Sequence, residues 1–224
     1  MPNVVCITGS VVSGCYISRF VGHCADQLRE AGCEVEEVLA WDFDLPVFTF
    51  PLERDSGMPE AARRAHEIFS AADGLIVGSP EINGSTTGVL KNLLDWASRP
   101  IDDEEQIGEA FLGLPTAVIS ASKHLHAGLR GADHLKHILS SLGCVLLPEQ
   151  AAVPFAQLHF AGAEDAVLSD LRTYEEPQVI TDQAVIKNLD QICASVFAAA
   201  SAGRSAASGR PAWLDNMIPT EGTT

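Results

Sequence analysis

The sequence predicts a doubly wound α/β fold, a parallel five-stranded sheet with helices on both faces. Three observations carry that expectation. Short apolar runs such as Val4-Val5-Cys6-Ile7 and Gly74 to Val77 have no polar face, as strands buried on both sides require. Between such runs, apolar residues recur at helical spacing. The strand-like and helix-like segments then alternate along the chain, which is the pattern of a parallel sheet.

The elements follow in order. Asn3 to Thr8 is the first strand, and Gly9 to Gly14 is a turn. Ile17, Phe20, Val21, Cys24 and Leu28 mark the first helix, which Gly32 ends. Cys33 to Leu39 is a more polar strand and therefore belongs near an edge. Trp41 to Met58, rich in Pro, Asp and Phe, reads as a long surface loop. Pro59 opens a second helix, with Ala62, Ala65, Ile68 and Phe69 facing inward.

The third strand closes at Val77. A Gly/Asn/Ser turn follows, and then a helix with Val89, Leu90, Leu93 and Leu94 as its apolar positions. Asp102 to Glu109 is an acidic loop, Thr116 to Ser120 the fourth strand, and Leu135, Ile138, Leu139 and Leu142 mark the fourth helix. Cys144 to Leu147 is the fifth strand. Asp182 to Ala200 is a final helix with Ile186, Leu189, Ile192, Val196 and Phe197 on one face. Residues 1–200 are thus expected to form a single domain. Residues 201–224, rich in Ala, Ser and Gly, are expected to be a flexible tail, with Trp213, Leu214, Met217 and Ile218 as a small anchor.

Bulk properties narrow the function. At 224 residues and 46% hydrophobic, the chain suits one well-buried domain. Its formal charge of −16 argues against nucleic acid or an anionic membrane as partner, because phosphate binding needs basic clusters. No apolar run approaches the about 20 residues of a membrane span. The N-terminus enters a strand directly, without the basic and apolar segments of a secretory signal, so a cytoplasmic protein is expected. Cysteines stand at 6, 15, 24, 33, 144 and 193 without a CxxC, the distribution of reduced, packed thiols.

Two loops carry the chemistry. In parallel α/β sheets, ligands sit at the carboxyl ends of strands. Gly9-Ser10-Val11-Val12-Ser13-Gly14-Cys15-Tyr16-Ile17 leads from a strand into a helix N-terminus. Free N–H groups and the helix dipole favour an anion there, a phosphate above all. Ser10, Ser13 and Tyr16 add hydroxyl donors. The bland alternative is a capped turn that binds nothing. The second loop is the run from Gly78-Ser79-Pro80-Glu81-Ile82-Asn83-Gly84-Ser85 to Asp95-Trp96, whose residue types hold a loop shape.

That second run resembles the second flavin-binding loop of the NADPH-dependent FMN reductase family, within the flavodoxin-like superfamily. Pro80, Glu81, Asn83, Gly84, Ser85, Gly88, Lys91, Asn92, Asp95 and Trp96 fit the family pattern in order and spacing. The resemblance extends over roughly residues 3 to 155. It implies a flavodoxin-like sheet of order 2-1-3-4-5, whose switch point between strands one and three brings the Ser10 and Pro80 loops to one crevice. It further implies FMN as cofactor, NADPH or NADH as co-substrate, a small-molecule acceptor and a homodimer or homotetramer. The residues it would place on the cofactor are Ser10, Ser13, Gly14, Cys15, Tyr16, Ile17, Pro80, Glu81, Ile82, Asn83, Gly84, Ser85, Ser120 and Ser122. Backbone N–H groups of Asn83, Gly84 and Ser85 would face the polar edge of the flavin ring.

All three loops depart from the family. Val12 stands where an Arg is usual, Cys15 where a Ser is usual and Ile82 where a Tyr is usual. Cys15 exchanges a good donor for a weak one. The third loop, Ser120 to Arg130, keeps only Gly128 of the Pro and several glycines expected, and Lys123, His124 and His126 fill the space. Glu81 reads first as a structural hydrogen-bonding residue and second as a site acid. His124 and His126 are possible proton donors. Together with His134 and His137 they invite a metal, but their spacing does not specify three or four converging ligands, and none is expected. The leading reading is an FMN-dependent NAD(P)H oxidoreductase that passes hydride to a quinone, nitro compound or free flavin. The alternatives are a flavodoxin-like enzyme that has lost flavin and reuses the crevice, and a non-catalytic assembly protein. No Arg can be assigned to a 2′-phosphate, so NADH and NADPH are not separated.

Overall fold

A computed structural model describes residues 1–11, 14–102, 104–161 and 179–203. The sheet is parallel, in the order β2 (Glu34–Leu39), β1 (Asn3–Thr8), β3 (Gly74–Pro80), β4 (Pro115–Ala121) and β5 (Val145–Leu146), with β6 (Ala151–Val153) also paired to β4. This is the expected flavodoxin-like order, with one difference. The fifth strand is two pieces, β5 against Pro115 and Thr116, and β6 against Ile119 to Ala121. Pro148 falls in the gap, and a proline has no N–H to give to a ladder.

Alternation along β1 assigns its two faces. Val5 and Ile7 enter one core with α3 (Glu60–Ala71), α4 (Gly88–Ala97) and α5 (Leu129–Ser141). Val4 and Cys6 enter the other, with α1 (Tyr16–Glu30) and α6 (Gln183–Ala202). The α1 face is packed very closely at one point. A Cβ on Gly78 would lie 2.4 Å from Val21 Cγ2 and 3.0 Å from Ile17 Cγ1, so glycine there lets the helix rest on β3. Cys6, Cys24, Cys33 and Cys193 are all buried on this side, and burial pushes the Cys6 thiol up. Cys24 rises through its hydrogen bond with Cys193 and then burial. Such thiols are packing residues and poor nucleophiles.

The segment expected to be one long loop, 41–58, contains helix α2 (Phe50–Ser56). Thr49 caps it, its Oγ1 accepting from Leu52 N at 3.2 Å, and Pro51 sits in its first turn. The segment before α2 is pinned to α4. Asn92 Oδ1 accepts from Phe48 N at 2.8 Å, Asn92 Nδ2 donates to Pro46 O at 2.9 Å, and Trp96 Nε1 donates to the same carbonyl at 2.8 Å. Asn92 and Trp96 are therefore structural clamps that hold the 46–48 segment on α4. Helix α6 continues to Ala202, two residues past the expected boundary. The expected tail anchor, Trp213 to Ile218, lies outside the described residues.

Candidate functional site

The loops after β1, β3, β4 and β6 share the carboxyl edge of the sheet. Thr87 joins the first two: its Oγ1 donates to Gly9 O at 2.6 Å while accepting from Leu90 N at 3.3 Å as the N-cap of α4. Gly9 N donates to Gly78 O at 2.8 Å. A Cβ on Gly9 would come within 2.8 Å of Leu90 Cδ2, so this joint requires glycine.

The first loop ends in an open helix start. Cys15 is the N-cap of α1 but makes no side-chain cap bond, and the first turn holds no acidic residue. Its Sγ lies 3.2 Å from Ser18 Oγ instead. Gly14 is left-handed at φ 73°, and its carbonyl accepts from Arg19 Nε at 2.9 Å, which fixes a guanidinium beside the loop. Tyr16 packs on Phe160, with centroids 5.3 Å apart, and Lys123 Nζ sits 5.7 Å from the Tyr16 ring centroid. Ser10 is buried. Ile17 is buried too, its side chain against Gly78 in the core, so a side-chain role toward a cofactor is corrected to at most a backbone one. Val12 and Ser13 lie outside the described residues.

The second loop is a tight turn. Asn83 and Gly84 have φ of 51° and 77°, and Ile82 and Ser85 exchange both backbone hydrogen bonds, at 2.9 and 3.0 Å. Positive φ at both central positions is what an Asn-Gly pair accommodates best. Ser85 N–H is therefore occupied inside the turn and is not presented outward as expected. The amides of Asn83 and Gly84 donate to nothing among the described residues. Ile82 is exposed. Below the turn, Ser79 Oγ lies 2.7 Å from Thr86 Oγ1 and donates to Pro80 O at 2.9 Å.

Glu81 ties this turn to the next loop. Its Oε2 accepts from Arg130 N at 3.1 Å and Gly131 N at 3.2 Å, so the carboxylate caps α5 and is held away from the crevice. Both bonds serve the joint between the turn and α5. A Cβ on Gly131 would lie 2.9 Å from Ser85 O, which shows how tightly α5 abuts the turn.

The third loop is held from below. Ser120 Oγ is fully buried and donates to Ala127 O at 2.9 Å, so its hydroxyl is unavailable to a cofactor. Ser122 Oγ accepts from His124 N at 3.2 Å and thus also serves the loop. His124 and His126 are exposed and their rings have no hydrogen-bond partner among the described residues. His134 on α5 does have a partner in the second loop, its Nδ1 lying 2.7 Å from Ser85 Oγ. Its partner lies 49 positions away in sequence, so no local pattern points to the pair. Phe155, after β6, is another residue the sequence does not single out. It is left-handed at φ 47° and 40% exposed, a strained setting for a bulky residue, as Ala127 is at φ 54°. No three of His, Cys, Asp and Glu gather in a way that could hold a metal among the described residues.

Comparison with known proteins decides the family. Residues 2–158 match the family described as NADPH-dependent FMN reductase. The chain belongs to that family. It is 36% identical over 137 residues to an NAD(P)H-dependent FMN reductase of Pseudomonas aeruginosa, covering 61% of this chain and 69% of the relative. It is 37% identical over 103 residues to a 2-hydroxy-1,4-benzoquinone reductase of a Burkholderia species, spanning 46% of this chain and about half (52%) of that relative. The solved flavoenzyme NAD(P)H:acceptor oxidoreductase of Paracoccus denitrificans superposes with a TM-score of 0.67, covering 91% of this chain and 99% of that one. At 22% identity that likeness speaks for the fold alone.

The residues present fit the family's FMN. The α1 N-terminus has no acidic neighbour in its first turn and no side-chain cap, which suits a phosphate. Two amides without an acceptor among the described residues, at Asn83 and Gly84, suit the polar edge of a flat ring. Glu81, the carboxylate at the start of that turn, is engaged with α5. The departures at Cys15 and Ile82 leave these features in place. A crevice that has lost flavin finds no support in the comparisons.

Proposed function

We propose that the protein is an FMN-dependent NAD(P)H oxidoreductase that reduces a small acceptor of the quinone type. The observation that carries the reading is the pair of unengaged amides in the Asn83-Gly84 turn, set across the Thr87–Gly9 joint from the open start of α1. When bound, FMN would supply the hydride-accepting and hydride-donating centre. The chain's part is to hold and orient it. In this reading Ser10, Gly14, Cys15, Tyr16 and the Ile17 backbone surround the phosphate, with Arg19 adding charge. Pro80, Ile82, Asn83 and Gly84 border the ring. Binding of both substrates in turn at one ring face needs no protein nucleophile.

The same proposal includes one catalytic unit through residue 200, a cytoplasmic setting and a homodimer or homotetramer. No helix among the described residues is long and apolar enough to cross a membrane. Support for association comes from the 41–50 segment, where Trp41, Val47 and Phe50 are exposed. An absorbance spectrum of the purified protein and an FMN titration test the core of the reading. Flavin bands, with oxidation of NADPH or NADH by 1,4-benzoquinone, are expected. A colourless protein with no FMN affinity would end it.

A further inference from the structure

We propose that Ser85 and His134 form the proton path that completes reduction of the acceptor. The inference rests on the oxidoreductase reading and adds a residue pair to it. Ser85 Oγ lies 2.7 Å from His134 Nδ1, at the rim of the turn that carries the two open amides. The bond is not needed to shape that turn. Ile82 and Ser85 already hold it with two backbone bonds, and Glu81 anchors it to α5. The His134 ring is exposed on its other side, so it can exchange protons with water. His124 and His126 have no comparable fixed partner among the described residues.

The chemistry needs such a path. Converting a quinone to a hydroquinone takes one hydride and one proton, and the hydride leaves an oxyanion behind. With His134 neutral, the Ser85 hydroxyl donates to Nδ1. With His134 protonated, Nδ1–H donates to Ser85 Oγ, and the hydroxyl proton is turned outward. Ser85 then gives that proton to the oxyanion, takes the Nδ1 proton in its place, and His134 is recharged by water. Imidazole, which can both take up and release a proton, is the side chain best suited to that cycle. Among the described residues, the titratable and charged groups on the two elements that carry the pair are Glu81 and Arg130, 3.9 Å apart, and Asp133, Lys136 and His137 on α5. Asp133 is paired with Lys136 at 2.9 Å.

The test uses the FMN-loaded protein with two acceptors. 1,4-Benzoquinone requires a proton on the acceptor, whereas ferricyanide takes single electrons and no proton. His134→Gln can still hydrogen-bond Ser85 but cannot be charged. It should lower the benzoquinone-to-ferricyanide ratio of kcat by about tenfold or more, with general acid catalysis as the guide. It should also flatten the pH profile of benzoquinone turnover. Ser85→Ala should do the same, while FMN affinity, read by fluorescence quenching, stays within about twofold for both. An unchanged ratio and pH profile in His134→Gln would overturn the proton path and leave the oxidoreductase reading standing. A wild-type protein that binds no FMN would overturn both.

Discussion

The loop after β3 and the loop after β4 border the same crevice but are built differently. Around its exposed tip at Ile82 and Asn83, polar side chains of the first loop are engaged with one another or with neighbouring elements: Ser79 with Thr86, Glu81 with the start of α5, Thr87 with Gly9. These bonds are all within the protein, so the loop is shaped by the chain itself. In the second loop Ser120, Ser122 and turns that close on His124 O and His126 O fix the backbone, while the side chains of His124, Leu125 and His126 stand out into solvent. A preorganised loop suits a constant cofactor, and a loop with free side chains suits an acceptor that differs between relatives.

The joint between the two loops is where this contrast is most easily broken. Gly131→Ala puts a methyl 2.9 Å from Ser85 O and 3.1 Å from Glu81 Cβ, with backbone on one side that cannot step aside. We expect a loss of about 1–3 kcal/mol from overpacking, read by urea denaturation, together with weakened FMN binding. If the stability were unchanged, the close approach of α5 to the turn would be wrong.

Glu81→Gln is the next step down. The amide keeps the size but loses the charge that two N–H groups approach, at a side chain only 18% exposed. About 1–2 kcal/mol is expected from a charge-assisted bond weakened to a neutral one. Ser122→Ala in the other loop should cost well under about 1 kcal/mol, because the hydroxyl it removes bonds one exposed amide. Equal effects from the two substitutions would erase the distinction between the loops.

The segment beyond β6 adds a tie that titrates. His159 Nδ1 lies 2.8 Å from Asp182 Oδ2, and Asp182 Oδ1 accepts from Ala184 N at 2.8 Å as the N-cap of α6. The His159 bond first, then the Ala184 and Val185 amides, lower the Asp182 pKa from 3.8. A carboxylate whose folded pKa is depressed stabilises the fold above its unfolded pKa. That stability is lost as pH falls from near the ordinary carboxylate value through the lower folded one. Thermal melts between pH 5 and pH 3 should therefore show a steeper decline in the wild type than in Asp182→Asn. Parallel curves would remove Asp182 from the account.

What the sequence revealed follows the same division. Asn83-Gly84 is a local turn signal, and the alternation of elements needed only short windows, so the parallel sheet and the second loop were legible, while the strand order came with the family resemblance. Thr49 and Pro51 did announce α2, but the aromatic and acidic residues around them read as loop. Pro148 marked the break between β5 and β6 in the same unheeded way. The roles of Asn92 and Trp96 were hidden because their partners, Phe48 and Pro46, lie 44 and 50 positions away. Ser120 looked like a site hydroxyl because sequence shows a donor without showing that Ala127 O already takes it. His134 was hidden for the reason that exposed His124 and His126 were conspicuous: importance here depends on a partner from another loop, and only the fold supplies it.

The smallest effects should come from the free side chains of the β4–α5 loop. His124→Ala and His126→Ala remove rings with no hydrogen-bond partner among the described residues, so stability should stay within about 0.5 kcal/mol. FMN affinity should also hold, since the loop's base is fixed by Ser120 and Ser122 beneath them. What should move is KM, and by different factors for benzoquinone and for a bulkier naphthoquinone, because these side chains meet whatever enters from solvent. A kcat loss common to both acceptors, with KM unchanged, would instead make one of these histidines the proton donor and transfer to it the role argued for His134.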